Sequence, residues 1–318
     1  CDAARPSQDP QDEAVRPSVR SGRSHAITDE PWSFDGRAGR AITTPHYRVY
    51  TTRMQPEYLG RLPAFLESAL QHYRTVVTQT PLPVPPSTDD HKLSTYVFRT
   101  RGQWERMTRQ LLGDDAAPFL RIQRGGYAWG GAAVLYEAGD GGGTLWSIAA
   151  HEGWHQFTQR TFKQSLPTWL EEAIATLCEG QRWKNAEGVE FIPRDNPERH
   201  TQLAALHRSG RLRSVERLLL DSPADLAARH HDAALDYYAQ VWALGLMLRE
   251  RHPAQLAQCV EDAACGNQSE RLVLLLDPPR TIALTHFRAL AIAEAYFGGT
   301  PALESEYRAF VATLVDRP

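Results

Sequence analysis

"AAHEGWHQF", residues 149–157, sets two histidines four positions apart with a glutamate directly after the first. An α-helix turns about 100° per residue, so positions i and i+4 share a face about 6 Å apart along the axis. His151 and His155 can therefore grip one ion. Glu152 lies one step around the helix, too far turned to be a third ligand but within reach of a water on that ion, which is the mechanical content of H-E-x-x-H. The same residues also read as a solvated helix with paired histidines. Around them, the glycine run before Thr144 breaks regular structure, Thr144 can cap the helix, and Leu145, Ile148, Ala149, Trp154 and Phe157 supply packing positions.

A third ligand decides between those readings. In "LPTWLEEAIATLCEG", residues 166–180, Pro167 can start a helix that carries Glu171 and Glu172 on its first turns. Folded back as a helical hairpin, this helix can present a carboxylate to the His151/His155 face. Adjacent glutamates lie on different faces, so one of them binds at most. Ala175, three residues after Glu172, is small and lets the helices approach, which favours Glu172. Glu171 also suits the positive end of a helix dipole.

The chain of 318 residues with 42% hydrophobic composition can bury a sizeable core. Its 35 basic and 38 acidic side chains leave a net charge of -3, with no electrostatic footprint for nucleic acid. The longest apolar run, Val241 to Leu248, falls far short of the ~20 residues of a spanning helix.

Residues 1–38 read as a flexible tether, because "DAARPSQDPQDEAVRPSVRSGRSHA" after Cys1 has almost no large apolar side chain. Residues 39–318 read as one catalytic-type domain, an α/β lobe over 39–163 and a helical lobe over 164–318. "HYRVYTT" and "LSTYVFRT" alternate as strands, and "GGYAWGGAAVLYEAG" reads as a third, bulged or edge strand. Apolar residues at helical spacing from Pro56 to Val77 and "QWERMTRQLLG", closed by Gly113, are helices. Most of the chain after Leu166 is helical, so the fold class is α+β, a small mixed sheet with helices followed by a mainly helical half. Cys259 and Cys265 can form a local disulfide if "CVEDAAC" bends, or stand as buried thiols.

"HEGWH" followed by "WLEEAIA" resembles the gluzincin metallopeptidases, whose second motif in the aminopeptidase branch is W-L-x-E-G-x-A. Trp169, Leu170, Glu172 and Ala175 match it, with Ala173 in place of glycine. The layout over about residues 46–315 resembles the peptidase-MA-like domain of bacterial envelope proteins. The resemblance implies a zincin-like fold and a Zn2+ ion on His151, His155 and Glu172, with Glu152 as general base. It also implies a Tyr or His donor from a later helix, where Tyr238 of "DYYAQVWAL" aligns better than Tyr237. The strand before the metal helix pairs with extended substrate in this clan, which points to Tyr127, Trp129 and Gly130. Two features depart from the pattern. The connection from His155 to Glu172 is shorter than in the aminopeptidases, and Thr176 stands where thermolysin-like enzymes carry a carboxylate that orients a ligand histidine. Another carboxylate or a backbone carbonyl has to hold the imidazole here.

Cys1 with its polar spacer resembles the start of a mature bacterial lipoprotein, which implies a lipid anchor at Cys1 and a place in the cell envelope, outside the cytoplasm. An accidental start at Cys1 is the other reading. The expectation is a zinc peptidase acting on peptide or protein, touching membrane only through Cys1. Its competitors are a zinc-containing, non-catalytic envelope binding protein and a metal-dependent amidase acting on cell-wall material. Without a G-x-M-E-N motif, exopeptidase action has no support.

Overall fold

The computed structural model describes residues 28–86, 88–122, 125–137, 143–185, 188–229, 231–276 and 288–316. The described chain starts with a hairpin, β1 (Thr28–Phe34) and β2 (Arg37–Thr43). Between them Asp35 and Gly36 both take positive φ, 53° and 67°, the backbone that a two-residue turn needs to match strand twist. Residues 28–38 are therefore strand and turn, where the sequence pointed to tether. Trp32 and Phe34 give the reason. Their rings lie 6.5 and 5.0 Å from that of Phe98, a burial that the polar stretch before them has no residues to make. Cys1 and the other residues before 28 lie outside the described residues.

The chain continues through β3 (Tyr47–Thr51), α1 (Pro56–Tyr73), β4 (Leu93–Phe98), α2 (Arg101–Leu112), the short α3 (Ala116–Phe119), β5 (Gly125–Trp129), β6 (Ala132–Tyr136) and α4 (Gly143–Thr161). The six strands form one mixed sheet in the order β1-β2-β3-β4-β6-β5, with β3–β4 and β4–β6 parallel and the remaining pairs antiparallel. Strand alternation splits the sheet side chains between two cores. Val49, Leu93, Val97, Ala133 and Leu135 join the core containing α1 and α4, whereas Phe98, Tyr127, Val134 and Tyr136 pack with Trp104 and Met107 of α2.

"GGYAWGGAAVLYE" is two strands, not one. Gly130 and Gly131, at φ 58° and 79°, turn the chain between β5 and β6 and leave β5 at the sheet edge. The helix that carries His151 and His155 also starts earlier than expected, at Gly143, so Thr144 lies inside its first turn and does not cap it.

The second half is helical: α5 (Thr168–Cys178), a small β7 (Gln181–Trp183) and β8 (Val189–Phe191) ribbon, α6 (Pro197–Arg208), α7 (Val215–Leu220), α8 (Pro223–Arg229), α9 (His231–Arg251), α10 (Pro253–Cys265), α11 (Gln268–Leu275), and helices Arg288–Phe297 and Thr300–Val315. The molecule is thus α+β with a mostly helical C-terminal half. Val241–Leu248 is buried throughout on α9, and α5 lies against it at Ala173, whose Cβ is 3.2 Å from where a side chain on Gly245 would begin. Ala173 is thus the small residue of α5 on the side of α9, and Ala175 is fully buried as well. Cys259 and Cys265 sit on the same helix, α10, as free thiols. No helix among the described residues is long and apolar enough to cross a membrane.

Candidate metal centre

The face that α4 offers is held in place from behind. Tyr73 of α1 donates its hydroxyl to the Ala150 carbonyl at 3.0 Å, and a Cβ on Gly153 would stand 2.2 Å from that hydroxyl. Glycine between the two histidines is therefore what lets α1 reach the helix backbone beneath His151. Trp154 and Phe157, fully buried, fix the rotation of α4 about its axis. That rotation turns His151 and His155 toward α5 and Glu152 toward β5.

Helix α5 runs antiparallel to α4, so the side chains meet in reverse order. The Nε2 atoms of His151 and His155 lie 3.2 and 3.5 Å from one atom, Glu172 Oε2. Donors held 2.0–2.2 Å from a tetrahedral ion stand about 3.3–3.5 Å from one another. The two distances to Glu172 Oε2 are close to that spacing, and the three ligand atoms lie within 4.8 Å of one another, a group that could hold a metal ion. Glu172 Oε2 is buried, and the two imidazole nitrogens are its close polar neighbours.

The other ring nitrogens are occupied. His151 Nδ1 is 2.9 Å from Glu179 Oε1, and His155 Nδ1 is 3.2 Å from Glu171 Oε1. A carboxylate on Nδ1 keeps the proton there and leaves Nε2 for the ion. These are the supports that Thr176 could not provide; its hydroxyl donates to the Ala173 carbonyl instead. Glu171, read from sequence as a helix-terminus charge, holds His155 and also accepts from Thr158 Oγ1 at 2.5 Å. Glu179 is the residue that sequence reasoning missed. It lies seven positions after Glu172, two turns along the same face, and this spacing could have found it. Its own partners, Asn196 Nδ2 at 2.7 Å and the Arg199 fork at 2.9 and 3.0 Å, come from α6 and its cap. No local signal announces them.

Electrostatics follow from this packing. Burial opposes charge on His151, but hydrogen bonds to Glu172 and Glu179 outweigh it and lift its pKa to about 9; His155 is raised in the same way by Glu172 and Glu171. Burial works against the Glu172 carboxylate too, yet the two imidazoles hold it well below the usual range. Without an ion, both imidazoles thus favour the protonated form, and Glu172 and Glu179 the ionised one. One divalent cation replacing two protons conserves the charge of the site.

Glu152 is different. Burial raises its pKa, and its carboxylate makes no hydrogen bond to a described residue. Its Cγ is 3.3 Å from where a Cβ on Gly126 would stand. Tyr238 of α9 lies on another side of the site, its ring 5.8 Å from the His151 ring and at 83° to it, with the Arg199 guanidinium 5.2 Å from the phenol ring centroid. Burial and the charges of Glu172 and Glu152 push the phenol far up, so it stays protonated. Tyr237 is turned into the core, fully buried.

Along β5, the two-residue Gly130–Gly131 turn makes Trp129–Ala132 and Tyr127–Val134 the mutually hydrogen-bonded pairs, and directs the backbone of Gly126 and Ala128 outward. The outward Ala128 carbonyl accepts from Gln159 Nε2 of α4 at 3.2 Å, in keeping with this phase. Of the residues picked from sequence, Tyr127 is therefore turned into the sheet by its backbone and into the α2 core by its side chain. Gly130 belongs to the turn, and Trp129 exposes its ring (48%) against Phe119. Gly126 and Ala128 are the positions whose backbone faces outward, with the Ala128 carbonyl already held by Gln159. A scan against protein-family models and a search of curated proteins returned no match to this chain.

Proposed function

We propose that the protein is a zinc-dependent peptidase with a zincin-like fold, similar to the gluzincins, and that it cleaves peptides bound in extended form. The observation that carries this is the convergence of two Nε2 atoms and one carboxylate oxygen at ligand spacing, with an unbonded carboxylate, Glu152, on the adjoining helix face. His151, His155 and Glu172 would hold the ion. When bound, zinc supplies Lewis acidity and lowers the pKa of a coordinated water to about 7.

Glu152 takes the proton of the attacking water and passes it to the leaving amine. Its raised pKa suits both halves of that transfer. Tyr238, protonated and beside His151, donates to the substrate oxygen as negative charge develops there. The outward backbone groups of Gly126 and Ala128 pair with an extended peptide by strand addition. Lipid attachment at Cys1 would place the enzyme at the cell envelope.

The first test is zinc per chain in extensively dialysed protein, beside His151→Ala and Glu172→Ala, with a peptide screen on the loaded parent. One zinc in the parent, lost in both variants, and an activity that Glu152→Gln abolishes without loss of zinc, is the expected result. A folded parent that neither retains nor regains zinc would overturn the metal reading. Full zinc with no hydrolysis of any peptide would favour the non-catalytic protein. Ala128→Pro tests the edge: it removes an outward N–H and leaves the β6 ladder intact, so KM rises several-fold while the melting temperature barely moves. An unchanged KM would remove strand addition.

A further inference from the structure

One side chain in the site serves two masters. Arg199 sits on the first turn of α6, where Asn196 caps the helix by accepting from the Arg199 N–H at 3.3 Å and, with its amide, donates to Glu179 Oε2 at 2.7 Å. The guanidinium closes a two-point fork on Glu179, Nη2 to Oε1 at 2.9 Å and Nε to Oε2 at 3.0 Å, and its carbon lies 5.2 Å from the Tyr238 ring centroid. Glu179 Oε1 in turn meets His151 Nδ1 at 2.9 Å. The side chains of Arg199 and Glu179 are 15% and 7% exposed, so the pair sits largely out of water.

We infer that Arg199 is the positioning residue of this site, fixing the His151 ring through Glu179 and the Tyr238 phenol by a cation–π contact. The two restraints share one rigid group. A fork that binds both carboxylate oxygens has a single orientation, and that orientation lays the guanidinium against the aromatic ring. A ligand and a proton donor from helices far apart in sequence are thereby held in one register. The triad does not need Arg199 to exist; it needs it to be stiff. Lysine, a point charge on a flexible stem, can neutralise Glu179 but cannot supply the plane.

The inference builds on the metal-centre reading, so the experiment has one arm that needs no metal. On the full chain, the metal-free protein is compared by NMR, with labelled histidine and tyrosine rings, in the parent, Arg199→Gln, Arg199→Lys and the double variant Glu179→Gln/Arg199→Gln. Expected is a slowly flipping Tyr238 ring and one His151 ring environment in the parent, and loss of both in Arg199→Gln, with no rescue by lysine. The double variant removes both buried charges, which protects the fold, and retains an acceptor for His151. It should free both rings, as Arg199→Gln does, because the fork is lost in each. In the second arm, cobalt(II) is titrated into the same proteins: Arg199→Gln binds about 10–100-fold more weakly, with a shifted visible absorption band. Parental ring signals together with parental cobalt affinity and band in Arg199→Gln would overturn the inference. A parent that takes up no cobalt, yet differs from Arg199→Gln in its ring signals, would sink the metal reading and leave the clamp standing.

Discussion

The two histidines of one helix turn are supported in opposite ways. His155 is held from within the hairpin: Glu171 comes from α5 and Thr158, which shares that carboxylate, from α4 itself. His151 is held from outside it, by a carboxylate at the C-terminal end of α5 that depends on Asn196 and Arg199 of a third segment. One support forms as soon as two neighbouring helices pack. The other exists only once α6 has docked. The difference teaches that the histidine face of α4 is half local and half tertiary, and that the tertiary half carries the larger electrostatic stake.

Glu179→Ala is the most damaging way to test this, because it leaves Arg199 buried without its partner. A loss of about 3–5 kcal/mol is expected in chemical denaturation, together with weaker zinc binding. A loss no greater than that of Glu171→Ala would break the comparison. Acidification probes the same pair in the parent. Arg199 and His151 outweigh burial and hold Glu179 down at about 2. With the folded pKa below the unfolded value, its contribution is full above about pH 4.3 and is lost as pH falls toward 2, on the order of 3 kcal/mol in all. In Glu179→Gln this part of the acid limb should vanish.

His151 behaves in the reverse sense. Its folded pKa, about 9 in the metal-free protein, lies above the unfolded value. The associated stability is full below about pH 6.5 and disappears as pH rises through 9. Zinc, replacing the proton, should flatten that alkaline limb in thermal melts; a limb that persists with zinc bound would separate the ion from His151.

Smaller effects belong to the local support. Glu171→Ala removes the acceptor from His155 and Thr158, worth about 1–3 kcal/mol, and Thr158→Val should cost about 1 kcal/mol or less, each with the His151 side unaffected. A Thr158→Val variant as weak in zinc binding as Glu179→Ala would show that the two supports are coupled.

The residues legible before folding were those whose geometry one helix sets. His151, Glu152 and His155 need only a 3.6-residue turn, and Glu172 only a hairpin. Asp35–Gly36 and Gly130–Gly131 were not read as turns: the first lay within what read as tether and the second inside what read as one strand, and only the structure shows their positive φ. That second turn sets the phase of β5, which moves the outward positions from Tyr127 and Trp129 to Gly126 and Ala128.

By itself the sequence determined the spacing of donors along α4 and α5, the α+β class and the near-neutral net charge, because these follow from period, composition and chain-local sterics. Tertiary structure alone decided which nitrogen of each histidine faces Glu172, which tyrosine of the Tyr237–Tyr238 pair lies beside His151, and that Arg199 stands behind both. Those outcomes depend on the rotation of packed helices about their axes and on partners separated by tens of residues, and neither is encoded in any one stretch of chain.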